Sequence, residues 1–375
     1  MGNADSHVKQ EYGYLYIQTN QSHYEPGQQV IGTIFIRTMM PLEVSTINIE
    51  VKGVEKGGFT VTRSNGKSTH RERRWYTHRH IKYDQPCFNF AVDTLQPGDY
   101  AVPFQFNLPL GIPATMFLND PKHRDHPKMK VKYTLRANLK NKVKKNLMFF
   151  KQIIKVVEPI IEYKQDLQNV SERKVTTCCC INQGISRIEA HFDRNIFYAH
   201  ENCRAEIKID NSKCNINITD SRLAIEQHIY IKAGWDVFRN VYTLGERYGK
   251  EVRARDAQIS NQVIDLPLST IRYEVHEEKK KDGSMKIYSD QEKFLMGQLQ
   301  AASHGKQLTN EYFVAIRCNY QGCTCCRELP HIKVPVAILP TEVPDLMRQQ
   351  TEVERPDDYN PIYYKAYEFD LTNEV

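Results

Sequence analysis

An all-β chain built as two antiparallel β-sandwiches in tandem is what this sequence predicts, on three observations. Apolar residues recur at every second position in short runs. Pro and Gly turns punctuate those runs at close intervals, and a second set of runs repeats the first about 174 residues later. No stretch carries the sustained 3.6-residue period of a long helix.

The clearest stretch is Leu95 to Phe117. Gln96-Pro97-Gly98-Asp99 is a turn, with Pro presetting φ and Gly supplying a positive φ. Tyr100, Val102, Phe104, Phe106 and Leu108 then alternate with Ala101, Pro103, Gln105 and Asn107, which predicts a strand with one buried face. Pro103 cannot donate to a ladder, so this strand lies on an edge or carries a bulge.

In chain order, Gly13 to Gln18 reads as a first strand, and Tyr24-Glu25-Pro26-Gly27 as a turn before Val30 to Ile36. Val44 to Val54 alternates through Ile47, Ile49 and Val51. In Met129 to Lys140, Val131, Tyr133, Leu135, Ala137 and Leu139 face in, while Lys130, Lys132, Thr134, Arg136 and Lys140 face out. Asn146 to Val157 closes the first half, and Pro159 to Lys174 is polar and linker-like. In the second half, Tyr198 and the run Ala205 to Asn211 echo Tyr24 onward. Leu223, Ile225, Ile229 and Ile231 alternate, as do Tyr312 to Tyr320 and Ile332 to Ile338. The boundaries expected are an N-terminal segment 1–11, a first domain 12–160, a linker 161–175, a second domain 176–340 and a tail 341–375.

At 375 residues the chain suits two cores better than one. It has 40% hydrophobic and 26% charged residues, no apolar run near membrane-spanning length and no apolar segment after Met1, so the expectation is a soluble protein without a secretory signal. The ten cysteines are then thiols in a reducing compartment, and the sequons at Asn169 and Asn217 are silent. The formal charge of +6 divides into +10 over residues 1–160, +2 over 161–340 and −6 in the tail. A basic first half suggests anionic partners, and an acidic tail could fold back over it.

The Pro-Gly turn, the aromatic strand Pro103-Phe104-Gln105-Phe106-Asn107-Leu108-Pro109 and the Pro-containing segment ending at Phe117 resemble the N-terminal half of the arrestin fold, nearest to the arrestin-domain-containing (α-arrestin) branch. The paired immunoglobulin-like sandwiches over residues 12–340 agree with that resemblance. Two places depart from the family pattern: Tyr198-Ala199-His200-Glu201, where a Gly usually precedes the Glu, and Pro113-Ala114-Thr115-Met116-Phe117, where the family has Pro-x-Ser-Phe.

Four candidate sites follow. Residues 52–82 hold nine Lys/Arg against two Glu, with Trp75 and Tyr76 among them. Arg71, Arg73, Arg74 and Arg79 suit phosphates or anionic headgroups, Arg being able to make bidentate contacts. By position the segment resembles the part of receptor-binding arrestins that probes the activated receptor. Lys130, Lys132, Lys144 and Lys145 extend the expected basic face. The plainer reading is a solvated hairpin, and nucleic acid is the less favoured target.

The cysteines form a second site. Cys178-Cys179-Cys180 and Cys323-Thr324-Cys325-Cys326 each adjoin a turn. The resemblance implies that both lie at the far tip of the second domain, an edge that touches the membrane in receptor-bound arrestins. S-acylation there would make a lipid anchor. A zinc site at Cys178, Cys180, Cys323 and Cys325 is a weak alternative, lacking Cys-x-x-Cys spacing, and small apolar side chains at a hairpin end are another reading. Third, Gly2 followed by Ser6 fits the N-myristoylation pattern, and one such chain binds membranes only marginally without a second signal.

Last, Asn360-Pro361-Ile362-Tyr363 is an Asn-Pro-x-Tyr motif of the kind read by phosphotyrosine-binding domains and endocytic adaptors. Tyr359 to Ile362 also reads as a sorting signal. The other reading has Tyr363, Tyr364, Tyr367, Phe369 and Leu371 packing back on the body, as the restraining tail of arrestins does. No Pro-Pro-x-Tyr motif is present.

No catalytic constellation and no cofactor motif is recognised. The function expected is a non-catalytic adaptor joining anionic or phosphorylated segments of membrane proteins to endocytic trafficking machinery, in the cytoplasm, at a peripheral membrane or on endosomes. The alternative is a cargo-sorting coat subunit resembling the arrestin-fold member of retromer.

Overall fold

The computed structural model describes residues 12–159, 167–276, 284–285, 288–324, 328–339 and 358–371. Its first sandwich pairs two sheets. One has the order β1 (Gly13–Thr19), β2 (Gln29–Thr38), β7 (Gly98–Asn107). Two short strands of the tail, β21 (Ile362–Tyr363) and β22 (Tyr367–Asp370), add to the free side of β7 in parallel. The other sheet runs β10 (Asn146–Ile154), β9 (Lys128–Lys140), β4 (Thr46–Ser64), β5 (Thr69–Asn89), with β8 (Met116–Asn119) beside β9. A small pair, β3 (Leu42–Glu43) and β6 (Thr94–Leu95), closes one end.

The second sandwich has a sheet β11 (Gln168–Thr177), β12 (Ile181–Phe192), β14 (Asn202–Asp210), β17 (Ser260–Pro267). It faces β13 (Ile196–Tyr198), β20 (His331–Leu339), β19 (Leu308–Tyr320), β15 (Ile218–Ala233), β16 (Asp236–Tyr248), with β18 (Ser303–His304) on β19. The all-β expectation holds, with a single α-helix among the described residues, α1 (Asp290–Gly297).

The predicted inward positions are the cores. Tyr100, Val102, Phe104 and Phe106 of β7 and the five alternating residues of β9 are buried in the first, and Tyr312 to Tyr320 with Ile332 to Ile338 in the second. The repeat is visible in the pairings. Tyr24 bridges Val156 in parallel just after β10, and Tyr198 pairs Leu339 in parallel at the end of β20. Gly13 and Gly184 also correspond: each has a positive φ, and a Cβ on either would lie about 2 Å from a backbone oxygen, that of Arg37 or Lys213.

Two expectations are corrected. The 161–175 linker is strand from Gln168, where β11 pairs the whole length of β12. The strand expected to end at Val54 runs on to Ser64, because β4 and β5 form one long hairpin turning at Asn65–Ser68. The N-terminal segment with Gly2 lies outside the described residues.

Candidate functional site

Cross-strand partners in a sheet point to the same side, so the registers of β5, β4 and β9 fix which charges share a face. Arg79 pairs Val54, which pairs Lys132; Thr77 pairs Lys56 and then Lys130; Trp75 pairs Gly58 and then Lys128. Arg73 pairs Thr60, its guanidinium 4.7 Å from the Trp75 ring, and Arg71 pairs Thr62. The outer face of this sheet therefore gathers Arg71, Arg73, Trp75, Arg79, Lys130 and Lys132. It adds Lys56 and Lys128, whose place on this face is fixed by the strand register.

Two parts of the expected set stand elsewhere. Arg74 has the opposite parity and faces the second domain, where it pairs Asp236 at 2.8 Å as well as Glu72. Lys144 and Lys145 occupy the turn between β9 and β10. The length of β9 from Lys130 to Lys140, about 30 Å, separates that turn from the arginines.

Lys130 and Lys132 meet a carboxylate of the protein's own. Glu292 on α1 lies 3.4 Å from the Lys130 ammonium and 2.5 Å from that of Lys132. Glu292 also closes the capping box with Ser289 that starts this helix. Burial works to raise the Glu292 carboxyl, and Lys132 and Lys130 outweigh it, leaving it below its ordinary range. The helix sits on Phe117 and Ile153 through Leu295 and Met296. Gln291 pairs both backbone groups of Ile153 on β10, at 2.9 and 3.1 Å, and Gln300 accepts from the Phe117 amide on β8.

The inner face of the hairpin docks on the second domain. Phe59 lies against Phe238, and Asp236 binds Arg63 as well as Arg74. Glu55, 0% exposed, accepts from His80 at 2.7 Å and from the backbone amides of Lys306 and Gln307 at 3.0 Å each. Nearby, His304 lies 2.7 Å from Glu158 and 3.3 Å from Glu311. The hydrogen bond to Glu158 holds the imidazole pKa above its ordinary 6.5. A raised histidine stabilises fully below 6.5 and loses that contribution as pH rises through the folded value. Thermal unfolding should therefore separate wild type from His304→Ala most at mildly acidic pH, with the gap closing toward alkaline pH; a gap constant with pH would refute the assignment.

The tail packs back on the first domain. Ile362 and Tyr363 lie opposite Tyr100 and Ala101, the ladder breaks opposite Pro103, and Tyr367 to Asp370 resume opposite Phe104 to Asn107. Pro103 thus sits on the strand edge that the tail closes. Tyr364 packs on Phe88, Phe90 and Tyr100, and Phe369 on Tyr83 and Phe106. Tyr359, at the head of the candidate sorting signal, is buried and donates to the carbonyls of Ile36 and Tyr100. Arg37 grips Asp99 at 2.6 and 2.8 Å, reaches Asp358 at 3.1 Å and lies over the Tyr359 ring. Within Asn360-Pro361-Ile362-Tyr363, the last two side chains are about 60% exposed while their backbone is in the sheet.

The two cysteine segments adjoin: the Cys178 amide donates to the Cys323 carbonyl, and Thr177 bridges Thr324. Cys178 and Cys323 are exposed, as is Cys180. Cys179 lies between Cys178 and Cys180 in a short 3-10 turn, while Cys325 and Cys326 fall outside the described residues. Among the described residues no group of three or more His, Cys, Asp or Glu is placed to hold a metal, and no helix is long and apolar enough to cross a membrane.

This pair of sandwiches, with a basic sheet face and a docked tail, defines a class. Residues 14–162 match the family model of the arrestin (or S-antigen) N-terminal domain. The chain is also similar to arrestin domain-containing protein A of Dictyostelium discoideum, 22% identical over 206 residues, which is 53% of this chain and 34% of the relative. The match thus spans about a third of that relative's length. The first domain thus matches the arrestin N-terminal domain model, and the chain as a whole resembles arrestin-domain-containing proteins.

Proposed function

We propose that the protein is a non-catalytic adaptor whose first domain holds phosphorylated or acidic cytoplasmic segments of membrane proteins and links them to endocytic trafficking machinery. The observation that carries this reading is the single sheet face bearing Arg71, Arg73, Arg79, Lys56 and Lys128 around Trp75. Guanidinium groups clustered on a rigid sheet give bidentate, salt-sensitive contacts to phosphate. Lys130 and Lys132 adjoin this face with Glu292 already on them, which puts the emphasis on the arginines.

Binding of a multiply phosphorylated peptide to the full chain, read by fluorescence anisotropy, tests this. Arg71→Ala with Arg73→Ala should weaken it about tenfold and flatten its salt dependence, while Lys144→Ala with Lys145→Ala should leave it unchanged. Equal affinity for wild type and the arginine variant would sink the proposal.

Membrane proximity would come from the adjoining cysteine segments, acylated at Cys178, Cys179, Cys180, Cys323, Cys325 or Cys326, together with myristoyl on Gly2. Intact mass from native cells, with and without hydroxylamine, reads both modifications at once. The alternative role, a coat subunit resembling the arrestin-fold member of retromer, predicts a fixed partner stoichiometry in lysate, which a transient adaptor lacks.

A further inference from the structure

The chain has only two tryptophans, and both are exposed: Trp75 at 56% and Trp235 at 100%. They stand on different domains, yet each is the next residue to one member of the Arg74–Asp236 ion pair, so the two hairpins carrying them are stitched together. Arg63 ties the same aspartate from the other strand of the first hairpin. Trp235 occupies the turn between β15 and β16, where Gly234 has a φ of +67° and open space beside it. Beyond it, Val237 and Val241 are exposed at alternate positions of β16, with Arg239 between them.

The surroundings are strongly cationic. Residues 63–79 and 232–239 hold eight Lys/Arg, against only Glu72 and Asp236. Both acids are bound by arginines of the hairpin. An indole on a projecting turn has no pocket of its own and inserts rather than receives. Indoles flanked by arginines and aliphatic residues are what the headgroup level of an anionic bilayer takes, with the ring at the apolar boundary and the cations at the phosphates.

We propose that Trp235, on its turn beside the cationic hairpin, anchors a docking surface for an anionic lipid bilayer, distinct from the cysteine tip and resting on the adaptor reading only for its membrane setting. The absence of other tryptophans makes intrinsic emission a direct probe. Full-length protein mixed with phosphatidylcholine vesicles containing phosphatidylserine should show a blue shift, absent or much smaller with phosphatidylcholine alone and reduced by salt. Trp235→Ala, a change at a fully solvated turn, should lower vesicle co-sedimentation about tenfold, and Trp75→Phe assigns the remaining emission.

Unchanged emission on anionic vesicles, or wild-type sedimentation of Trp235→Ala, would overturn the proposal. So would a shift produced only by self-association, read as concentration-dependent mass without lipid. Phosphopeptide binding by Trp235→Ala separates the two readings: retained binding with lost vesicle binding supports a separate lipid surface. Vesicle binding by a wild type that ignores phosphopeptides leaves this surface standing and removes the peptide reading.

Discussion

Glu55→Ala should be the most damaging single substitution at the junction of the two domains. The carboxylate is fully buried and satisfies His80 and two amides of the turn at Lys306 and Gln307, so its removal orphans three donors at once. Breaking a buried, hydrogen-bonded charge cluster from one side costs about 3–5 kcal/mol. The expected result is a large drop in the denaturant midpoint, with faster amide exchange at Lys306 and Gln307. Glu55→Gln keeps an acceptor and should lose less than half as much. Burial acts to raise this carboxyl, and the bonds from His80, Gln307 and Lys306 outweigh it, holding it below its ordinary 4.5. A depressed carboxyl stabilises above its unfolded pKa, so the contribution persists through neutrality and is lost as pH falls through the folded value. A wild-type midpoint for Glu55→Ala would show that the domains are held elsewhere.

The second large effect is expected at Arg37. Its guanidinium holds Asp99 by two bonds, takes Asp358 with a third and lies 5.2 Å from the Tyr359 ring, so one side chain secures the start of the docked tail. Asp99 accepts in addition from the Asn360 amide. Arg37→Ala leaves the Asp99 carboxylate, its side chain only 10% exposed, without its partner, a loss of about 3 kcal/mol. That converts to roughly a hundredfold loss of hydrogen-exchange protection at the Tyr364 amide, which donates to Ala101. Core amides of β9 should keep theirs. Protection at Tyr364 equal to wild type would mean that the aromatic contacts of Tyr364 and Phe369 hold the tail without the arginine.

What the sequence made legible follows from where each strand finds its apolar cover. Strands β7, β9, β19 and β20 cover their own core, so strict alternation declared both element and buried face. The outer half of the β4–β5 hairpin covers the other domain instead. Its inner positions, Glu55, Gly57, Phe59 and Val61, make sense only against Lys306, Phe238 and their neighbours, and alone they read as part of a charge run. Strand β11 buries few side chains and looked like a linker for the same reason.

The helix was within reach. Ser289-x-x-Glu292 is a capping signature, but one short helix with a weak apolar stripe gave no period to notice. Among the candidate residues, parity along β5 separates Arg74 from Arg73 once the strand is known. The two predicted strands on either side already place Lys144 and Lys145 in a turn, whereas the arrival of Glu292 on Lys132 depends on a pairing that no local pattern encodes.

The glutamine amides on β10 and β8, and the tail on β7, have one further consequence. Together they cover one edge of each first-domain sheet, using segments that come from beyond residue 287. Severed from the rest of the chain, the first sandwich would newly expose the β7 edge of one sheet and the β10 and β8 edge of the other, a template for sticking to its own copies. The cover over those two edges therefore comes from the C-terminal half of the chain, which makes the first sandwich dependent on its neighbour for shielding as well as for shape.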